Sequence, residues 1–190
     1  MRRYFLPFML VFVAILSLCS CNKAERAEEL MADIRSALGA ASKITTVANI
    51  RADYTDRAFD FQVKFSGTET AGEIAIIEPA SLAGIVVRVS DSGATLSYDG
   101  AEIDTGDLGG GLSPVGIIPM LINEWKNGFT EFVYKEKRGS RGTLTMSSTL
   151  PGGAVQKTWF EEKSGLPIRA EVSASGRTVL AIVYDNVIYE

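Results

Sequence analysis

Histidine is absent from all 190 residues, and the only two cysteines stand at positions 19 and 21. Without histidine the chain lacks the commonest general base, the commonest zinc ligand and the usual partner of a serine nucleophile. With both thiols near the start, nothing downstream of Cys21 can form a disulfide staple or act as a cysteine nucleophile. A long apolar run is missing too. The best candidate, Phe5 to Leu18, is interrupted by Pro7 and Ser17 and falls short of the roughly 20 apolar residues a membrane span needs. There is no excess of positive charge: 19 basic side chains face 23 acidic ones, so net charge attracts neither nucleic acid nor an anionic membrane surface. Hydrolase chemistry is poorly supplied, and stability must come from packing.

The start of the chain is the most informative part of what is present. Arg2 and Arg3 form a short basic region ahead of the apolar run, and Leu18-Cys19-Ser20-Cys21 closes it. That order is the plan of an export leader. The closing tetrapeptide resembles the lipobox of bacterial lipoproteins, with a Leu three residues before the modified cysteine and a small residue directly before it. Cys21 fits that pattern; Cys19 would follow bulky Leu18. The resemblance implies a leader at residues 1–20, a diacylglyceryl group with palmitate-type chains on Cys21, and a domain at residues 21–190. An uncleaved anchor helix or an ordinary secretory signal are the alternatives. The implied location is the outer face of the cytoplasmic membrane, or an outer membrane if the envelope has two. Loss of Arg2 and Arg3 leaves 17 basic against 23 acidic side chains, near −6.

About 170 residues then remain, the size of one domain. Asn22 to Lys43 reads as a helix: Leu30, Ile34, Leu38 and Ala41 recur at three- and four-residue spacing, and Gly39 stands near its end. Beyond Ile44 the period becomes two. Phe59, Phe61, Val63 and Phe65 alternate with Asp60, Gln62 and Lys64, as in a strand with one buried face. Strand-like runs continue at 46–54, 71–77, 84–90, 94–98, 101–104, 129–137, 142–148, 155–162, 166–174 and 178–184, about eleven in all. Short Gly-, Asp- and Ser-rich turns between them predict antiparallel hairpins.

One stretch breaks the alternation. Gly109-Gly110-Gly111 and Ser113-Pro114 precede an apolar segment from Val115 to Trp125. Pro119 suits a first helical turn, Gly128 a helix end, and Met120, Leu121, Ile122 and Trp125 form one face. Such a helix either plugs the open side of a curved sheet or acts as its lid. Because Val115 to Ile122 is apolar nearly all round, a plug is the favoured reading.

An N-terminal helix, about eleven antiparallel strands and an apolar helical insertion after the sixth resemble the LolA/LolB superfamily of lipoprotein carriers. The ending Gly165-Leu166-Pro167-Ile168-Arg169-Ala170-Glu171-Val172, then 179–187, is similar to that superfamily's closing pair of strands after a Gly-Leu-Pro turn. The resemblance covers about residues 25–190. It implies a mainly β (α+β) fold: a half-open antiparallel β-barrel of about eleven strands, with an N-terminal helix and a short inserted helix on the concave face. It further implies a non-enzymatic binding role, for an envelope protein partner or for lipoprotein acyl chains, as in LolB-like acceptors or the small LolA-like lipoproteins of single-membrane bacteria. A monomer without cofactor is expected.

Phe59, Phe61, Phe65, Leu121, Ile122, Trp125 and Phe129 are the candidates for lining or closing such a cavity, with Phe132 beside them; core packing is the plainer account of each. Adjacent Glu161 and Glu162 point to opposite faces of a strand and cannot form an acid/base dyad. Asp99, Asp104 and Asp107 match no calcium-loop spacing. The triple glycine lacks the lysine of a phosphate-binding loop and reads as a hinge. Lys135, Lys137, Arg138 and Arg141 gather at a hairpin tip, as a rim for a partner or lipid headgroup or as edge-protecting charges.

Overall fold

The computed structural model describes residues 24–90, 93–106, 112–139 and 141–190. The leader, Cys19, Cys21, Asp107 and the triple glycine lie outside them. Helix α1 occupies residues 24–40. Six strands follow, β1 (Ile44–Asp53), β2 (Ala58–Gly67), β3 (Gly72–Glu78), β4 (Val86–Ser90), β5 (Gly93–Tyr98) and β6 (Ala101–Gly106). Then come helix α2 (Ile117–Asn127) and strands β7 (Phe132–Arg138), β8 (Arg141–Thr149), β9 (Val155–Glu161), β10 (Pro167–Ala174) and β11 (Arg177–Tyr189).

All eleven strands make one antiparallel sheet in the order β6-β5-β4-β3-β2-β1-β11-β10-β9-β8-β7. Every neighbour in that order except β1 and β11 is also a sequence neighbour, so hairpin closure builds almost the whole sheet. The β1–β11 pairing joins its two halves, and the edges β6 and β7 do not pair: the barrel is half open.

Helix α1 turns Ala27, Met31, Ile34 and Leu38 inward, all 3% exposed or less. Its buried face is therefore centred slightly away from the expected Leu30 and Ala41, which are only partly buried. Gly165, with φ 68°, serves two needs in the β9–β10 turn. An L side chain is disfavoured at that φ, and an added Cβ would lie 3.1 Å from Ile34 of α1. On β11, Asn186 at φ 52° accommodates an extra residue opposite β1, and beyond it Val187 and Tyr189 pack against the core. β7 begins at Phe132, not Phe129, because the chain leaving α2 first turns through Gly128 to Glu131. β11 runs five residues past its expected end, since pairing with β1 continues to Ile44. Among the described residues no helix is long and apolar enough to cross a membrane.

Candidate functional site

The concave face of the sheet is where α2 lies. Ile117, Ile118, Leu121, Ile122 and Trp125 are each 1% exposed or less and share one core with Ile50, Phe65, Ile74, Met146, Phe160 and Ile182. Trp125 is edge-on to Phe160 at 5.5 Å and to Tyr184 at 5.6 Å between ring centroids. Its indole N–H donates to Thr158 Oγ1 at 3.0 Å. Thr158 donates to Gln156 Oε1 at 2.7 Å, Gln156 Nε2 to Ser148 Oγ at 3.0 Å, and Ser148 to Glu124 Oε2 at 3.2 Å. This polar chain runs from α2 across β9 and β8 and back to α2. It satisfies the groups that burial would otherwise penalise.

The end of α2 is held from α1. Arg35 donates to the carbonyls of Trp125 at 3.2 Å and Gly128 at 2.5 Å, and to Thr130 Oγ1 at 2.8 Å. A guanidinium there meets the carbonyls a helix leaves unpaired and the negative end of its dipole. Lys126 pairs with Glu69 of the β2–β3 turn at 2.9 Å, both side chains under 20% exposed. Burial pushes the Glu69 carboxyl up, but hydrogen bonds from Lys126 and from its own backbone, with the Lys126 charge, outweigh it and hold the group below the usual carboxylate range. Two buried hydroxyls, of Tyr184 and Tyr189, have no hydrogen-bond partner among the described residues. Burial holds both phenols well above the usual tyrosine range, and Tyr184 is raised further by its proximity to Tyr189.

The aromatic candidates separate. Phe65, Leu121, Ile122 and Trp125 are buried together under and within α2. Along β2, burial then fades through Val63 and half-buried Phe61 to Phe59, 43% exposed. Across the sheet, the row Phe65–Ile74–Val87–Leu96–Ile103 fades in the same way, from 0% exposed at Phe65 to 59% at Ile103. The helices cover one part of the concave face and leave an apolar corner of Phe59, Phe61, Tyr98 and Ile103 open. The Tyr54 ring lies tilted against Phe59, 6.4 Å between centroids, and its hydroxyl donates to the Leu112 carbonyl. Phe129 is corrected outright: at 84% exposed, in the loop after α2, it lines no cavity. Phe132, 67% exposed at the start of edge strand β7, is likewise not core.

Sequence reading missed Arg35, Glu124, Gln156 and Thr158. A lone acid on an apolar helix, and polar residues alternating on the inward face of a strand, were the available signals. It also missed Trp159, on the opposite face of the sheet and 4% exposed. Lys157 lies 4.9 Å and Arg169 6.0 Å from its ring, and its N–H donates to Glu136. The two charged groups sit over the indole ring, where its π face attracts them.

No known sequence family matches the chain, and no curated protein matches it by sequence. Solved structures resemble it in shape. An uncharacterized conserved protein from Thermus thermophilus is 8% identical, covers 87% of this chain and 88% of its own, and has a TM-score of 0.51. A LolA superfamily protein from Nitrosomonas europaea is 12% identical over 86% and 93%, TM-score 0.47. The GerS lipoprotein of Clostridioides difficile, solved with the CwlD amidase, is 16% identical over 86% and 95%, TM-score 0.43. The eleven antiparallel strands, the half-open sheet and the two helices are those expected from the sequence. What is shared with the Thermus thermophilus protein is the fold. These likenesses extend to architecture, not to any one site residue.

Proposed function

We propose that this LolA-like chain is a non-enzymatic envelope protein, lipid-anchored through Cys21, which binds a protein partner and does not carry acyl chains. The observation behind the reading is the state of α2. Five of its apolar side chains are at most 1% exposed, its one tryptophan is hydrogen-bonded into the sheet, and Arg35 clasps its end. Filling the concavity this way buries roughly 1.5–3 kcal/mol per large side chain, all of which opening would forfeit. An acyl chain would have to displace a satisfied core. The uncovered corner around Phe59 and Phe61 leaves apolar surface for a partner instead.

The test compares the wild-type protein with Trp125→Ala. As part of a permanent plug, the indole should cost about 3–5 kcal/mol on removal, read from denaturant midpoints, and neither protein should take up a fluorescent fatty acid. Saturable uptake by the wild type, or a stability loss well below that range together with altered uptake, would make α2 a lid and the protein a carrier.

A further inference from the structure

We infer that the end of the sheet carrying the β7–β8 hairpin and the β9–β10 turn rests on an anionic phospholipid surface. The inference builds on the Cys21 anchor reading and adds an orientation to it. Ala24 is the third residue after Cys21, so the Cys21 Cα lies within about 11 Å of the Ala24 Cα even at full extension. Ala24 and Arg26 line an open groove of about 790 Å³ with Lys135, Lys137 and Glu162. The short tether therefore fixes which end of the body faces the bilayer.

Charge agrees with the tether. At this proximal end Lys137, Arg141 and Lys163 are exposed, and no ion pair among the described residues uses them. Of the acids nearby, Glu162 is paired with Lys135, Glu161 accepts from Ser164 and Glu136 accepts from Trp159, which leaves Glu25, Glu28 and Glu29 in the first turns of α1 as the exposed opponents, with exposed Arg26 among them. At the far end of the strands the sign reverses. Asp56, Glu78, Asp99 and Glu131 are exposed and make no ion pair among the described residues, against one exposed cation there outside any ion pair, Arg57. The balance of exposed charge outside ion pairs is thus more basic at the tethered end than at the far end, and each Lys or Arg near an anionic surface favours that arrangement about fivefold. The groove's amphipathic lining, lysine stems beside half-exposed Tyr134, suits the interfacial layer.

The experiment uses the full chain purified with its lipid and placed in vesicles of phosphatidylcholine with phosphatidylglycerol carrying a headgroup acceptor dye. One donor dye is attached at Ser164→Cys in the β9–β10 turn or at Ser81→Cys in the β3–β4 turn. These sites stand a strand length apart, about 30 Å for ten residues. Strong energy transfer is expected from position 164 and near-background transfer from position 81. Reversing Lys137, Arg141 and Lys163 to Glu should bring the two signals together. Equal transfer from both sites, stronger transfer from position 81, or charge reversal without effect would overturn the orientation. The mass of the N-terminal peptide, read on the same sample, separately decides the anchor: a missing acyl mass on Cys21 sinks that reading and leaves the orientation to the dye comparison.

Discussion

Tyr184 presents a buried hydroxyl with no partner among the described residues, while Trp125, whose ring stands 5.6 Å away, has its one polar atom satisfied by Thr158. The contrast sets opposite expectations for two aromatic residues in one core. An unsatisfied buried hydroxyl costs about 1–3 kcal/mol, so Tyr184→Phe should stabilise the protein by up to that amount, read as a rise in the urea midpoint. Burial also holds the Tyr184 and Tyr189 phenols above the usual range. Their folded pKa values exceed the unfolded value near 10. The unfolded chain therefore loses protons first as pH rises, and stability present below about pH 10 declines above it. Midpoints measured from pH 8 to 11 should fall across the upper part of that window, and less steeply in Tyr184→Phe. A flat profile would contradict the burial of these hydroxyls.

Helix α2 is short, eleven residues, and an isolated helix of that length is marginal in water. Its persistence depends on what it is packed against and how its ends are met. Gly116 offers no side-chain cap at the start, so the end clasped by Arg35 carries much of the definition. Arg35→Met keeps the stem and removes the donors. Hydrogen bonds from a charged group contribute about 1.5–3 kcal/mol, and a loss of that order is expected. Hydrogen exchange locates it: amides of α2 should exchange faster while those of β1 and β11 keep their order as the slowest. Uniform acceleration throughout the sheet would mean that α2 does not open separately. Gly128 explains why the clasp is so close. An added Cβ would sit 2.6 Å from the Glu124 carbonyl and run into the Glu124 carboxylate, so only glycine lets this turn pass Arg35 and the helix end together.

For the whole molecule, attachment and folding are separate matters. Among the described residues, β1 and β11 join the two halves of the sheet and both helices share the core. Cys21→Ala should abolish incorporation of labelled palmitate, and each lost methylene removes about 0.8 kcal/mol of membrane affinity. The circular dichroism spectrum and denaturant midpoint of the variant should match the wild type. Retained palmitate label would place the acylation elsewhere. A lowered midpoint would make the N-terminal segment part of the fold.

Local patterning made most of the architecture legible. Period-two alternation interrupted by Gly- and Asp-rich turns dictates hairpins, and ten of the sheet's strand pairings include nine between sequence neighbours. The helical period of α1, Pro119 near the start of α2, and Gly128 at its end are likewise written in neighbouring residues. Sequence could not show how far the helices reach. Phe59 and Phe65 share one face of β2 and one alternation, yet one is 43% exposed and the other fully buried, because coverage depends on where α2 crosses, and that follows from the 3D path of the insertion. The same holds for charge. A whole-chain balance of −4 says nothing of Lys137, Arg141 and Lys163 gathering at one end while Asp56, Glu78 and Asp99 gather at the other. Alternating strand direction sorts successive turns to opposite ends of the sheet, and only the assembled sheet decides which turns become neighbours. Arg35 meets Trp125 and Gly128 across about ninety residues of chain, a contact that no local period encodes because it exists only once both helices lie on the same concave face.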